Sequence, residues 1–226
     1  MALPIAVLVS GSGSNLQAII DKIEAGGLDA AITLVLSNKA EAYGLERARR
    51  HGLKTAVISH TDYPDRESFD AAMIKAIRQS GAEAVILAGF MRILTPAFVA
   101  AFEHKILNIH PALLPSFPGA HGQPDAAAHG VRISGCTVHF VDEKMDHGPI
   151  IIQAAVPAFP DDDGDALGAR ILRLEHRVYP QAIQWLAKGR LKIAGRKVRL
   201  KDGDVPAASM AGAGPCLINP ALEEGF

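Results

Sequence analysis

Residues 5–15 read IAVLVSGSGSN, and this stretch decides the fold. Ile5–Val9 is a short apolar run rich in Val and Ile, which is typical of a buried strand. The glycine-rich segment Ser10–Asn15 follows, and apolar residues then recur at helical spacing over Leu16–Ala25. The order of strand, glycine loop and helix predicts the first unit of an α/β sheet.

The same alternation continues through the first half of the chain. Further apolar runs predict four more strands, at Ala31–Asn38, Lys54–Ser59, Ala82–Phe90 and Lys105–His110. Helical periodicity predicts helices over Tyr43–His51, over Arg66–Ser80 and in a short segment after Pro96. Nearly continuous apolar strands that alternate with helices indicate a parallel sheet covered on both faces. We therefore predict an α/β, Rossmann-like, mostly parallel twisted sheet with helices on both faces.

The pattern changes beyond Gly119. Ser134–Asp142 and Pro149–Ala158 predict two strands joined by a short polar loop, and Asp165–Ala187 predicts a long amphipathic helix. Residues 188–201 alternate Lys and Arg with apolar residues, which predicts a small C-terminal hairpin with a solvated face.

The C-terminal residues differ in composition from the rest of the chain. From about Asp204 they are rich in Ala, Gly and Pro and lack periodicity, which is typical of a mobile tail. We predict a single domain over residues 1–203 and a flexible tail over residues 204–226. A chain cut after Gly203 is then expected to keep its stability.

The bulk composition excludes several classes of protein. There are 23 Lys and Arg residues against 24 Asp and Glu, so no basic surface for nucleic acid is expected. The sequence has neither a signal peptide nor an apolar run of membrane-spanning length. We expect a soluble cytoplasmic protein without a nucleic-acid or membrane partner, either a monomer or a homodimer. The sequence has two cysteines and nine histidines without metal-ligand spacing, so we expect no metal.

The glycine loop is the first candidate site. Backbone N–H groups between a strand and a helix favour an anion, and Gly13, Ser14 and Asn15 stand at the start of the helix. Leu16 occupies the position of the third glycine of a dinucleotide fingerprint, so a single phosphate is the better functional interpretation. The alternative is an ordinary tight turn in which Ser14 caps the helix.

The second candidate site is the segment Ala88–Leu94, which follows the fourth predicted strand. Ligands of open α/β sheets bind at the carboxyl ends of the strands. Arg92 stands there among Met91, Ile93 and Leu94, which suggests an apolar slot with one cation at its mouth. From the residues alone, a hydrophobic helix start with an exposed arginine is the favoured alternative.

The third candidate site lies at the end of the fifth predicted strand. Asn108 and His110 are two residues apart, so both side chains face the same side of that strand. An amide and an imidazole aimed at one point suit a developing oxyanion. The alternative is an asparagine and a histidine that hydrogen-bond a turn. The loop Asp142–His147 offers carboxylates, one of which could orient His110.

Together these stretches resemble the phosphoribosylglycinamide formyltransferases, within the wider group of formyltetrahydrofolate-dependent formyltransferases. The resemblance covers roughly residues 5–192, in the family's order and spacing. The segments that carry it are SGSGSNLQAII, SNKAEAYGLERAR, LAGFMRIL, LNIHPALLPSFPG, GCTVHFVDEKMDHGPIIIQAAVP and LEHRVYP. So many motifs in series are far more specific than any one of them.

The resemblance implies a function and a set of site residues. It implies formyl transfer from the co-substrate 10-formyltetrahydrofolate to glycinamide ribonucleotide, with the substrate phosphate at Gly13, Ser14 and Asn15 and a substrate contact from Glu175. It implies a catalytic amide, imidazole and carboxylate at Asn108, His110 and Asp146. The folate would be bound by Arg66, Met91, Arg92, Ile93, Leu94 and Asn108. A cis proline is expected at Leu114-Pro115.

One stretch departs from the family, and alternatives within and beyond the family stay open. Where the family usually reads LHTHRQAL, this chain has AHGQPDAAAHG at residues 120–130. A formyltetrahydrofolate deformylase would use the same trio but carries an added N-terminal domain, which this sequence does not show before its first strand. A non-catalytic nucleotide-binding protein would keep the glycine loop but would not need the trio.

Overall fold

The computed structural model describes residues 1–202, 207–209 and 215–226. The chain forms two compact units, residues 1–108 with 141–143 and residues 109–140 with 144–226. The predicted fold class is confirmed: the chain is α/β and Rossmann-like, with a mostly parallel sheet, helices on both faces and a C-terminal hairpin. Whether residues 1–203 behave as one domain stays a prediction.

The first unit is built on parallel strands in the order β3-β2-β1-β4-β5. The chain passes into the second unit after Asn108, within β5. The elements are β1 (Leu3–Val9), α1 (Ser14–Glu24), β2 (Ala30–Ser37), α2 (Tyr43–Arg50), β3 (Thr55–Val57), α3 (Arg66–Gln79), β4 (Ala84–Leu87), α4 (Pro96–Ala101) and β5 (Ile106–His110).

Strand β1 lies at the centre of this unit because it is apolar on both faces. Ile5–Val9 is fully buried. Ala6 and Leu8 belong to a core cluster with apolar side chains of α3 and α4, whereas Val9 faces Gly44 of α2 on the other side. Helices therefore cover both faces of the strand, as its continuous apolar sequence predicts.

The second unit has mainly antiparallel pairing. β7 pairs antiparallel with β6 and β11, β10 with β11, and β8 with β9, while β9 makes one parallel bridge to β7. The elements are α5 (Gly122–His129), β6 (Ile133–Phe140), β7 (Ile150–Pro157), α6 (Gly164–Ala187), β8 (Leu191–Ala194), β9 (Lys197–Leu200), β10 (Ala207–Ser209) and β11 (Cys216–Asn219). The predicted C-terminal hairpin is formed by β8 and β9.

The stretch that departs from the family pattern, residues 120–130, contains α5, which packs on α6. A Cβ atom added at Gly164 would lie 3.0 Å from the Cα of Pro124. A Cβ atom added at Gly168 would lie 3.6 Å from Cγ of Gln123. Two glycines on α6 therefore accommodate two side chains of this stretch.

The structure corrects the prediction of a flexible tail for the part of it that is described. Residues 216–219 form β11, which pairs with β7, and Ile218 is buried at 1% exposure. The Glu223 carboxylate accepts a hydrogen bond from Trp185 Nε1 at 3.0 Å and forms an ion pair with Arg190. The backbone N–H of Glu223 donates a hydrogen bond to the side-chain oxygen of Gln181. The tail prediction for residues 204–206 and 210–214 lies outside the described residues.

Removing residues 204–226 is now expected to destabilise the protein. The truncation exposes the buried surface under Ile218 and leaves Trp185 and Gln181 without the Glu223 contacts. The melting temperature should fall by roughly 5 °C or more, since each kcal/mol shifts it by about 2–4 °C in a chain of this size. Calorimetry of the full and truncated chains measures this, and equal melting temperatures would mean that the segment adds no stability.

Stability should also depend on pH through Glu223. Burial alone would raise the pKa of this carboxyl, but hydrogen bonds from Arg190 and Trp185 outweigh burial and lower its pKa. A lowered folded-state pKa adds stability above the unfolded value, and that stability is lost as the pH falls through the folded value. Glu223→Gln should therefore narrow the difference in melting temperature between neutral and acidic pH. Glu224→Gln is the matched control and should behave like wild type.

Candidate active site

The glycine loop and the start of α1 form one wall of a cavity in the first unit. The cavity has a volume of about 170 Å³ and is lined by Ser10, Gly11, Ser12, Gly13, Ser14, Asn15, Ala88, Gly89 and Met91. Gly13 is the residue before α1 and has φ 68°, and a Cβ there would lie 2.5 Å from the Cα of Gly44. Only glycine fits that position. Gly13 is the N-cap of α1 and Ser14 is the first residue of the helix, so Ser14 does not occupy the capping position of the simple turn interpretation.

The loop is held from outside by α2. The N–H of Gly44 donates to the carbonyl of Gly11 at 3.0 Å, and Arg47 Nε donates to the carbonyl of Ser12 at 2.9 Å. The guanidinium of Arg47 also stacks on the Tyr43 ring, 4.9 Å from its centroid. Sequence reasoning missed Arg47, because its helical position gives no sign of a contact 35 residues away along the chain.

The segment Met91–Leu94 lies between β4 and α4. Met91 and Ile93 are 63% and 55% exposed, whereas Leu94 is buried. Two large apolar side chains are therefore exposed to solvent, and buried Leu94 fixes the segment to the core. Arg66, at the start of α3, donates from Nη2 to the carbonyl of Ile93 at 3.1 Å. The structure therefore brings Arg66 to the predicted slot. Exposed apolar side chains grouped in this way indicate a binding surface.

The end of the slot segment is fixed by a buried carboxylate that sequence reasoning did not identify. Asp70 is 2% exposed, and its Oδ2 accepts a hydrogen bond from the backbone N–H of Thr95 at 2.6 Å. Thr95 caps α4 with its own side chain. An aspartate on the apolar face of α3 is the signal that could have been noticed.

His110 and Asp146 lie together in the second unit. His110 is 3% exposed, and its Nδ1 is 3.5 Å from Asp146 Oδ2. Its Nε2 is 2.8 Å from the carbonyl oxygen of Phe117, which can only accept, so Nε2 carries a hydrogen. The ring is therefore held between a backbone carbonyl at Nε2 and a carboxylate at Nδ1.

Asp146 is oriented by further contacts. Its Oδ2 accepts a hydrogen bond from the Gly119 N–H at 2.7 Å, and its Oδ1 is 3.8 Å from Nε2 of buried His139. Asp146 and Phe117 have positive φ values of 49° and 51°. Backbone strain of this kind is common at functional sites. His139 was not predicted, because it alternates with apolar residues in a strand and looks like a core position.

The Pro-rich segment after β5 contains the expected cis peptide bond at Leu114-Pro115. Thr137 of β6 holds the segment by accepting from the Leu114 N–H at 3.1 Å and donating to the Ala112 carbonyl at 2.7 Å. A Cβ added at Gly122 would lie 3.5 Å from His110 Nε2, so the atypical glycine of α5 sits directly against the imidazole.

The remaining predicted residues take up separate positions. Asn108 is half-buried in β5 and pairs with Leu87 of β4. Glu175 is 6% exposed on α6. Burial and the charge of Glu175 raise the pKa of the Cys136 thiol well above its usual range, which places this carboxylate near β6.

Two properties of the described residues bear on the class of protein. In the ranges 1–202, 207–209 and 215–226, no group of three or more His, Cys, Asp or Glu side chains could hold a metal ion. Within the same ranges, no helix is long and apolar enough to cross a membrane.

The hairpin contacts the loop that carries Asp146. Arg196 Nη2 donates to the carbonyl of His147 at 2.7 Å, and Nη1 lies 2.8 Å from the Nε2 atom of that residue. Gly195, with φ 60°, and Arg196 form the two-residue turn between β8 and β9, close to the predicted Ala194-Gly195 turn. The turn thus anchors the residue next to Asp146.

Comparisons with known proteins agree with the sequence motifs. The family model described as "Formyl transferase" matches residues 3–183. Phosphoribosylglycinamide formyltransferase of Escherichia coli (strain K12) is 47% identical over 189 residues, which cover 84% of this chain and 89% of that protein. The trifunctional purine biosynthetic protein adenosine-3 of Drosophila pseudoobscura pseudoobscura is 50% identical over 190 residues. That match covers 83% of this chain but spans only 14% of the longer relative.

Solved structures give the same picture. Glycinamide ribonucleotide transformylase 1 from Symbiobacterium toebii has a TM-score of 0.88 and 49% identity, with 89% of this chain and 95% of that chain covered. A formyltetrahydrofolate deformylase from Pseudomonas syringae pv. tomato str. DC3000 has a TM-score of 0.83 but only 26% identity, with 89% and 67% covered. The sequence similarity therefore favours the transformylases.

The contact between Arg196 and the loop allows a direct test. Arg196→Ala removes the donor to the His147 carbonyl, so the backbone amides of residues 144–148 should exchange hydrogen about tenfold faster, as expected when about 1.4 kcal/mol of local stability is lost. Arg199→Ala, an exposed arginine on the same hairpin, is the matched control and should leave exchange unchanged. Equal exchange in both variants would show that the loop does not depend on Arg196.

Proposed function

Because the chain belongs to the formyl transferase family, we propose that it transfers the formyl group of 10-formyltetrahydrofolate to the amine of glycinamide ribonucleotide in purine biosynthesis. The observation that carries this proposal is the buried His110–Asp146 pair, with an imidazole 3.5 Å from a carboxylate at the end of β5. Formyl transfer builds negative charge on the formyl oxygen, and a positioned imidazole suits the stabilisation of that charge. Both substrates are small molecules.

The chemical step is a direct transfer through a tetrahedral intermediate. The amine of glycinamide ribonucleotide attacks the formyl carbon, and negative charge develops on the formyl oxygen. The bond from that carbon to N10 of the folate then breaks, while one proton leaves the amine and one reaches N10. No covalent bond to the protein is needed, so the protein's task is to stabilise charge and guide the proton.

Asn108 and His110 supply the donors for the developing oxyanion. They are two residues apart on β5, so both side chains face the same side of that strand. The Nε2 hydrogen of His110, which the Phe117 carbonyl accepts in the free protein, is the hydrogen that the formyl oxygen takes over. Asn108 also contacts the folate.

Asp146 holds the imidazole in place through its contact with Nδ1. It is itself positioned by the Gly119 N–H and lies near His139. A water molecule fixed by Asp146 would carry the proton from the amine to N10.

The two substrates bind at the segments that the sequence singled out. The substrate phosphate takes the N–H groups of Gly13, Ser14 and Asn15, where backbone donors and the dipole of α1 favour an anion. Glu175 contacts the rest of the ribonucleotide. The folate lies along the slot formed by Met91, Arg92, Ile93 and Leu94, to which Arg66 is bonded. We further propose a cytoplasmic monomer or homodimer.

Hydrolysis of the formyl group is the second candidate, since the deformylase shares the fold. Both reactions release tetrahydrofolate, but only transfer requires the amine. Folate absorbance is therefore followed with 10-formyltetrahydrofolate alone and with glycinamide ribonucleotide added. A change that requires the ribonucleotide supports transfer, and a change of equal rate without it would establish hydrolysis instead.

Loss of the His110–Asp146 pair should lower kcat more than it weakens binding. Asp146→Asn keeps the shape of the side chain but removes its charge, and His110→Asn removes an oxyanion donor that is typically worth about 100- to 1,000-fold in rate. The double variant should lose far less than the product of the two, because the two residues act as one unit. Steady-state kinetics with both substrates measures these effects.

The control for this series is Glu143→Gln, an exposed carboxylate in the same loop, which should leave kcat unchanged. If Asp146→Asn raised both KM values and left kcat intact, Asp146 would be a binding residue and the assigned catalytic role would be wrong.

The phosphate assignment predicts a selective loss of one substrate. Asn15→Leu keeps the backbone N–H but removes the side-chain amide, a further donor at the start of α1. The KM for glycinamide ribonucleotide should therefore rise about tenfold or more, as for a lost hydrogen bond to a charged group. The dissociation constant of tetrahydrofolate, measured by calorimetry without the ribonucleotide, should stay within about twofold of wild type. An equal loss of folate affinity would show that the loop serves another purpose.

A further inference from the structure

Ser10 connects the glycine loop to the slot segment through its hydroxyl group. The residue follows β1 directly and is 6% exposed. Its Oγ accepts a hydrogen bond from the backbone N–H of Met91 at 2.8 Å. The N–H of Ser10 donates to the carbonyl of Gly89 at 3.0 Å. Two hydrogen bonds thus tie the first residue of the loop to the beginning of the slot.

Asn38 fixes the direction of that hydroxyl. The Ser10 hydroxyl donates to Oδ1 of Asn38 at 2.6 Å, and Asn38 is 2% exposed. Nδ2 of Asn38 is 3.5 Å from His60 Nδ1. Because the hydroxyl hydrogen points to Asn38, a lone pair of the oxygen is left for the Met91 N–H. The role of Asn38 is therefore to hold Ser10 as an acceptor.

These contacts lie at the wall of the cavity that both segments line. Ser10, Ala88, Gly89 and Met91 line it together with the phosphate-binding residues. An anion that orders the glycine loop would also order Ser10, and through its hydroxyl the backbone of Met91. The segment that binds the second ligand would then already be ordered, so less conformational entropy of the protein would be lost when that ligand binds.

We propose that the Ser10 hydroxyl, oriented by Asn38, is a positioning group that couples the two substrate sites, so that a bound ribonucleotide phosphate strengthens folate binding and the reverse. This inference rests on the proposed assignment of the two segments to phosphate and folate. Ser10 is almost completely buried, so it acts through the loop and through Met91. By linkage the two substrates must strengthen each other by the same factor.

Calorimetry measures the coupling directly. The dissociation constant of glycinamide ribonucleotide is determined alone and in saturating tetrahydrofolate, a folate without a transferable group, and the titration is repeated with the ligands exchanged. In wild type each ligand should tighten the other about fivefold or more, which is the lower end of usual coupling between sites. In Ser10→Ala the factor should fall to about one, with both KM values raised and kcat at saturation within about twofold of wild type.

Matched variants separate positioning from general damage. Ser10→Thr keeps the hydroxyl and should retain most of the coupling, whereas Asn38→Leu should lose it as Ser10→Ala does. Ser80→Ala removes a partly buried hydroxyl elsewhere in the same unit, one that bonds Thr33 and the Ile77 carbonyl, and should leave the coupling at the wild-type value. If Ser10→Ala does not fold, the comparison of Asn38→Leu with Ser10→Thr makes the same test.

Two results would overturn the inference, and they differ from a failure of the proposed function. Coupling that persists at the wild-type factor in folded Ser10→Ala or Asn38→Leu would show that the hydroxyl does not transmit it. Wild type that binds both ligands without coupling would remove the inference and leave the function standing. Wild type that binds neither ligand would overturn the proposed function and the inference together.

Discussion

Complete burial of the inner part of β1 is the constraint on which the first unit depends. Ile5–Val9 is covered on both faces, so the strand can neither stop early nor carry polar side chains until it leaves the sheet. The first polar residue, Ser10, therefore appears where the chain turns, and its hydroxyl is at once used to bond Met91 and Asn38. Parallel neighbours of the same kind end at the same edge. The apolar core thus determines that polar side chains able to bind a ligand can follow β1 only at the end of the strand.

In the second unit, two buried imidazoles share one carboxylate. His110 and His139 each place one ring nitrogen 2.8 Å from a backbone carbonyl, which fixes a hydrogen on that nitrogen, and each turns its other nitrogen toward Asp146. The backbone carbonyls thereby fix which nitrogen of each ring carries a hydrogen, and both rings are oriented toward the carboxylate of Asp146. Such pre-arrangement means that little reorganisation is needed when charge develops on a substrate.

The sequence predicted what depends on local pattern and missed what depends on distant partners. Periodicity found the strands, the glycine loop and the hairpin, because each is determined by neighbours in the chain. It failed for β11, since an Ala- and Gly-rich context gives no period and the strand is stabilised by β7, some sixty residues earlier. The roles of Arg47 and Asp70 were not predicted for the same reason, because each side chain bonds a backbone group far along the chain. His110 with Asp146 was predicted by family resemblance, and the contact with His139 was not.

The close fit between α5 and α6 has a consequence for exchanging segments between relatives. Pro124 and Gln123 rest against positions 164 and 168, where this chain has glycine on both sites. Each glycine leaves room for one side chain of α5, so the GQPD segment and the two glycines of α6 pack as one unit. A chimera whose α6 carried a side chain at position 164 would place a Cβ atom 3.0 Å from the Cα of Pro124, so α5 would have to change together with α6.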